Sequence, residues 1–127
     1  MPRSIIATAN APKAIGTYSQ AVKVGSTVYA SGQIPLDPVT GELVQGPMDV
    51  QVKRVFENLK AIVSAAGGSF AQVVKVTVYI LDFADFPVLN KVMAEYFSEP
   101  YPARVTVAVA ALPKGARVEI DCVVELE

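Results

Sequence analysis

The sequence predicts an α+β domain: one mixed sheet with two helices on one face, in the chain order strands, helix, strand, helix, strands. Three observations carry that prediction. Valine-rich segments that alternate with period two recur early, midway and late in the chain. Two segments between them repeat apolar residues at helical spacing. The 127 residues suffice for one hydrophobic core, so 1–127 is read as a single domain.

In the first strand region, AVKV and TVYASGQI flank Gly25-Ser26, a tight-turn dipeptide, and read as a hairpin. Pro35, Pro38, Gly41, Gly46 and Pro47 then punctuate an exposed loop. Asp49 is placed to cap a helix whose apolar stripe is Val52, Val55, Phe56, Leu59, Ile62, Val63 and Ala66, and Gly67-Gly68 stops it. The run VVKVTVYIL sets Val74, Val76, Val78 and Ile80 against Lys75, Thr77 and Tyr79, the pattern of a strand with one buried face. A second helix follows from Phe86, Leu89, Val92, Met93, Tyr96 and Phe97, with Asp85 near its start and Pro100 and Pro102 past its end. RVTVAVA and RVEIDCVVEL flank a turn at Pro113 and Gly115 and read as a second hairpin. With both helices on one face, the other face of the sheet needs cover, and the same face of a further subunit is the economical source. The chain is also charge-poor, 18% against an average of about 25%, which again favours self-association.

Composition removes several function classes. There is no histidine, so His-activated nucleophiles, His general bases and His-ligated metals are excluded. The single thiol, Cys122, permits neither an intrachain disulfide nor a cysteine-rich zinc site. It alternates with valine and isoleucine, as a buried inert thiol does. Eleven basic against twelve acidic residues give a net charge of −1, without the basic excess that nucleic acid binding requires. The N-terminal MPRSIIATANAPKAIG has one Arg and an apolar stretch broken by Thr8 and Asn10, too short for a secretory signal, and no apolar run approaches the ~18 residues of a membrane span. The expectation is a soluble cytoplasmic protein with no nucleic acid or membrane partner and no metal. GxGxxG, GxxxxGK[ST] and GxSxG are all missing.

Candidate site residues come from the strands. Alternation puts Arg104, Thr106 and Ala108 on one face of their strand and Arg117, Glu119 and Asp121 on one face of the next. If the two pair as a hairpin, Arg104 and Glu119 share a side of the sheet near its rim, either as a structural ion pair or as part of a site. Ser31-Gly32-Gln33 either marks a β-bulge or lets backbone donors approach a ligand. Tyr18 is a half-buried aromatic or a phenol beside a ligand, and Asn90 braces a loop or binds.

Taken together, IGTYSQAV, VYASGQIPLDPVTGELV, NLKAIVSAAGGSF, VVKVTVYILDFADFPVLN and YPARVTVAVAALPKGARVEID resemble the Rid (YjgF) family of enamine/imine deaminases over nearly the whole chain. SGQIP, the PAR segment with its valine-rich strand, LPKGA and the closing VEI are the most specific parts. The resemblance implies a chorismate-mutase-like fold, a homotrimer with ligand clefts between subunits, and cofactor-independent hydrolysis of 2-aminoacrylate-type enamines and their imines to 2-oxo acids and ammonia. It further implies that Arg104 grips the substrate carboxylate, that Glu119 positions or deprotonates the attacking water, and that Tyr18, Gly32 and Asn90 line the cleft, with Tyr18 a further catalytic candidate and Ser31, beside Gly32, a substrate-binding one. Many relatives carry a cysteine two residues after the arginine, where this chain has Thr106. A substrate-binding role there then rests on backbone or hydroxyl. The competing class is a non-catalytic trimer, either a regulatory module for small carboxylates or a chaperone-like holdase.

Overall fold

The computed structural model describes residues 2–127, so Met1 of the expected domain lies outside the described residues. Its elements are β1 (Ser4–Ile6), β2 (Ala21–Val24), β3 (Thr27–Gln33), α1 (Met48–Ala65), β4 (Val73–Ile80), α2 (Phe86–Tyr96), β5 (Ala103–Ala108) and β6 (Val118–Glu125). The strands make one mixed sheet in the order β1-β2-β3-β6-β4-β5, in which only β4 and β5 run parallel. One sheet face carries Val76, Val78, Ile80, Val118, Ile120 and Val124, and these join Phe56, Leu59 and Ile62 of α1 and Leu89 and Val92 of α2 in the core. The α+β class with two helices on a mixed sheet is therefore as the sequence predicted.

The first hairpin forms as expected, with Val24 opposite Thr27 and Gly25 supplying the positive φ of 60° that the tight turn demands. At α1 the expected cap is corrected. Pro47 occupies the N-cap position, and Asp49 sits in the first helical turn, where its charge complements the helix dipole without a capping hydrogen bond. Gly67 ends α1 as foreseen: at φ 89° its N–H donates to the Ser64 carbonyl and that of Gly68 to the Val63 carbonyl.

In β4 the alternation fails at one residue. The register with β6 shifts between Val73 and Lys75, so Val73 is buried and Val74, expected inside, is exposed. β1 was not expected. It pairs with β2 at the sheet edge, and the following segment is tied down by the buried Gln20 side chain, whose Oε1 accepts from Thr8 N–H and whose Nε2 donates to the Thr8 and Pro12 carbonyls.

The second hairpin is overturned. β5 and β6 are not neighbours, because β4 lies between them, parallel to β5 and antiparallel to β6. α2 carries the chain across the sheet so that β5 returns alongside β4 in the same direction, which is what a helical crossover accomplishes. β6 then fills the slot between β3 and β4, burying Val118, Ile120, Cys122 and Val124 on the helix side. Among the described residues no helix is long and apolar enough to cross a membrane.

Candidate functional site

The corrected strand order decides where the predicted residues go. Arg104 is opposite Val76 and Thr106 opposite Val78, so both belong to the helix-covered face, whereas Glu119 is opposite Tyr79 and belongs to the bare face. Arg104 and Glu119, expected on one side of the sheet, thus face opposite sides, and no ion pair joins them.

Arg104 stands on the edge strand β5 and leans against α2. Its Nη1 donates to Asn90 Oδ1 at 2.6 Å and lies 3.7 Å from Met93 Sδ, while the guanidinium carbon sits 5.2 Å from the centre of the Phe86 ring. Phe86, Asn90 and Met93 recur at helical spacing and form one stripe, so α2 orients the guanidinium through a carbonyl oxygen, a sulfur and an aromatic face. The remaining donors of the fork stay open, and Arg104 makes no ion pair among the described residues. A cavity of about 460 Å³ adjoins it, lined by Asn90, Met93, Tyr101 and Pro102. Thr106 points to the same side, and its Oγ1 is buried without a hydrogen-bond partner.

The second cluster gathers Tyr18, Ser31, Gly32 and Glu119 around a separate cavity of about 480 Å³. Two residues of β3, Ser31 and Gly32, stand between the pairs Ala30–Cys122 and Gln33–Ile120, where β6 supplies only Asp121. The segment is therefore a β-bulge, and it also forms one wall of the cavity. Gly32 lets the Glu119 carboxylate lie against bare backbone, because a Cβ there would overlap it and push that side chain aside. Ser31 Oγ donates to the Ser19 carbonyl at 2.6 Å and Ser31 N–H to the Gln20 carbonyl at 2.9 Å, which brings the half-exposed Tyr18 to the cavity mouth. Burial, and secondarily the charge of Asp121, push the Glu119 carboxyl above the ordinary glutamate value. Among the described residues no cluster of His, Cys, Asp and Glu could hold a metal ion. Cys122 is 3% exposed and its thiol is pushed up to about 12, mainly by burial, as an inert core residue.

Several neighbours of these residues escape a reading by alternation. Phe86 and Met93 were assigned to the core stripe, although their spacing from Asn90 already put them beside it. Lys114 also lines the Glu119 cavity and, at φ 58°, is the one non-glycine residue with positive φ among those described. The signal in the sequence is its place between Pro113 and Gly115.

Residues 8–126 match the family described as Endoribonuclease L-PSP. The chain is 52% identical over 126 residues to 2-iminobutanoate/2-iminopropanoate deaminase of Dermatophagoides farinae, covering 99% of this chain and 98% of that protein. It is 49% identical over 121 residues to the human protein of the same name, covering 95% and 88%. Among solved structures, RidA from an Antarctic Psychrobacter superposes with a TM-score of 0.93 at 56% identity, covering 96% and 98%. TdcF from E. coli with bound serine gives 0.92 at 44%, covering 98% and 99%.

Proposed function

Because the chain belongs to the Endoribonuclease L-PSP (Rid/YjgF) family, we propose that it hydrolyses 2-enamine and 2-imino acids, such as 2-aminoacrylate, 2-iminopropanoate and 2-iminobutanoate, to 2-oxo acids and ammonia. Relatives at about half identity over nearly the full chain are named for that deamination. The observation that carries the reading is the pair of complementary half-sites. One is an oriented guanidinium with open donors and no carboxylate of its own, and the other is a partly buried carboxyl beside bare glycine backbone.

In this reading the Arg104 fork takes the substrate carboxylate, which suits a planar guanidinium that stays charged. An enamine first gains a proton at carbon and becomes the iminium. Glu119 then accepts a proton from water as the water oxygen bonds to the iminium carbon and the C=N π pair moves to nitrogen. Return of that proton to nitrogen makes ammonia the leaving group, and as the C–N bond breaks the hydroxyl proton passes to the freed Glu119 carboxylate and the C=O bond forms. The iminium is already electrophilic, so positioning of substrate and water is the main demand on the protein. Tyr18, Ser31, Gly32, Asn90 and Thr106 line or brace this site.

Each chain holds its two half-sites on opposite sheet faces, so the working site lies between subunits of a homotrimer, with one chain's Arg104 completing a neighbour's Glu119 cavity. The bare sheet face supports this assembly: Tyr29, Val105 and Val107 on it are 54%, 43% and 37% exposed. The substrate is small and soluble, and the reading places the protein in the cytoplasm with no nucleic acid or membrane partner.

The test mixes purified protein with a serine or threonine dehydratase and follows 2-oxo acid and ammonia release. Acceleration over dehydratase alone is expected. No acceleration with several amino-acid-derived imines overturns the reading, and RNA cleavage in a parallel assay without imine turnover would replace it with the endoribonuclease activity for which the family is named.

A further inference from the structure

We propose that Asp121 and Tyr79 form a positioning pair for Glu119: the Tyr79 phenol pins a second carboxylate beside Glu119 and thereby sets the pH range in which Glu119 can take a proton from water. The catalytic consequence rests on the deaminase reading, whereas the pairing itself does not.

The geometry is that of neighbouring strands. Glu119 and Asp121 lie two residues apart on β6, on the same bare face, with Cα atoms ~7 Å apart by strand rise. Tyr79 of β4 stands directly opposite Glu119, and Thr77 directly opposite Asp121. The Tyr79 side chain reaches diagonally past its own partner, and its hydroxyl donates to Asp121 Oδ2 at 3.2 Å. One aromatic residue therefore spans both carboxylates. Two acids on one face at this spacing repel, and among the described residues neither is in an ion pair.

The other groups facing Glu119 do not cancel that repulsion. β3 offers the uncharged Ser31 and Gly32, the N-terminal segment Tyr18 and Lys13, and the 113–115 turn Lys114. Arg117, just before β6, is paired with Asp85, and in the proposed assembly the neighbour's Arg104 is committed to the substrate carboxylate. Both lysines are exposed at the cavity wall. Burial, and after it the charge of Asp121, raise the Glu119 carboxyl. Asp121 and Glu119 likewise hold the Tyr79 phenol in its protonated, donating form, after burial as the largest cause. The Tyr79 hydrogen bond holds the Asp121 carboxylate in place beside Glu119, and a like charge held there makes Glu119 the stronger base.

The experiment titrates the Glu119 carboxyl by 13C NMR in the full-length protein in its native assembly, for wild type, Asp121→Asn, Tyr79→Phe and the double variant, and measures the pH profile of kcat/KM for imine hydrolysis on the same samples. Removing the Asp121 charge should lower the Glu119 midpoint by about half a pH unit or more. Tyr79→Phe should move it the same way by less, and the double variant no further than Asp121→Asn. The acidic limb of kcat/KM should follow, and Asp121→Glu should restore it. An unmoved Glu119 midpoint in folded Asp121→Asn overturns the proposal. If that variant fails to fold, an unmoved midpoint in Tyr79→Phe does so. A shifted midpoint in a protein whose wild type turns over no imine leaves the tuning intact and removes the deaminase reading instead.

Discussion

Arg104 shows how much one side chain depends on its surroundings. Its charge is unconditional, but its direction is set by Asn90 Oδ1 at 2.6 Å and by the Phe86 ring. Arg104→Lys keeps the charge and loses the fork. Steady-state kinetics should then show kcat/KM falling about 10- to 100-fold, the loss that a charge-assisted hydrogen bond of about 1.5–3 kcal/mol commands, and near-normal kinetics would remove the carboxylate clamp. Glu119 makes the opposite kind of prediction. Its carboxyl is raised in the folded state, so folding favours the protonated form, and that contribution is lost as pH rises above the ordinary value of 4.5. Glu119→Gln cannot ionise. Thermal melts should therefore show Tm of the variant gaining on wild type as pH goes from about 4 to about 7, and a constant difference would contradict the burial of this carboxyl.

Among the elements, the loop after β3 depends most on one distant contact. Asn58, fully buried on α1, donates from Nδ2 to the Leu36 carbonyl at 3.0 Å and accepts at Oδ1 from Arg54 Nε at 3.1 Å. Leu36 in turn bridges to Leu43 and lines the Glu119 cavity. Asn58→Ala leaves a carbonyl and a guanidinium donor without partners, and urea unfolding should report a loss of about 1–3 kcal/mol. Aromatic contacts complete the helix layer: Phe56 of α1 lies 5.1 Å from Tyr96 of α2, and Phe70 lies 4.7 Å from Phe97. The helix stripes that make these contacts were readable because helical spacing repeats over several turns of one segment. The β4 alternation was readable from Val76 to Ile80 but not at Val74, where a bulge, which no local pattern announces, turns one residue over.

For the whole molecule, the strand order has a consequence for complementation. The second hairpin would have kept Arg104 and Glu119 together on one side of one chain, whereas they face opposite sides. If the site is shared as proposed, Arg104→Ala and Glu119→Gln chains, each inactive alone, should regain activity when unfolded together and refolded, because some sites in the mixed assemblies then combine an intact arginine with an intact glutamate. Arg104→Ala with Tyr18→Ala should behave alike, since Tyr18 shares the Glu119 cavity. Mass spectrometry establishes that hybrids formed. Absence of recovery in proven hybrids would put both halves of the site in one subunit, and a monomer by light scattering at micromolar concentration would reject the shared site.

By itself the sequence determined the class of the fold, the identity and faces of both helices, the first hairpin, the stop at Gly67 and the exclusion of histidine chemistry. These depend on local periodicity, on glycine's access to positive φ and on composition, all properties of contiguous residues. It also supplied the residues of the candidate site, as a set without an arrangement. The tertiary structure alone decided that β6 enters between β3 and β4. Strand partners are chosen by long-range pairing and burial, and two valine-rich strands joined by a short turn look the same whether or not a third strand slips between them. The one usable sign was the strand, helix, strand order through α2, which calls for a parallel crossover and so removes β5 from the hairpin with β6. That choice put the guanidinium on the helix side and the carboxyl on the bare side, because a side chain's face follows from its register with its neighbours.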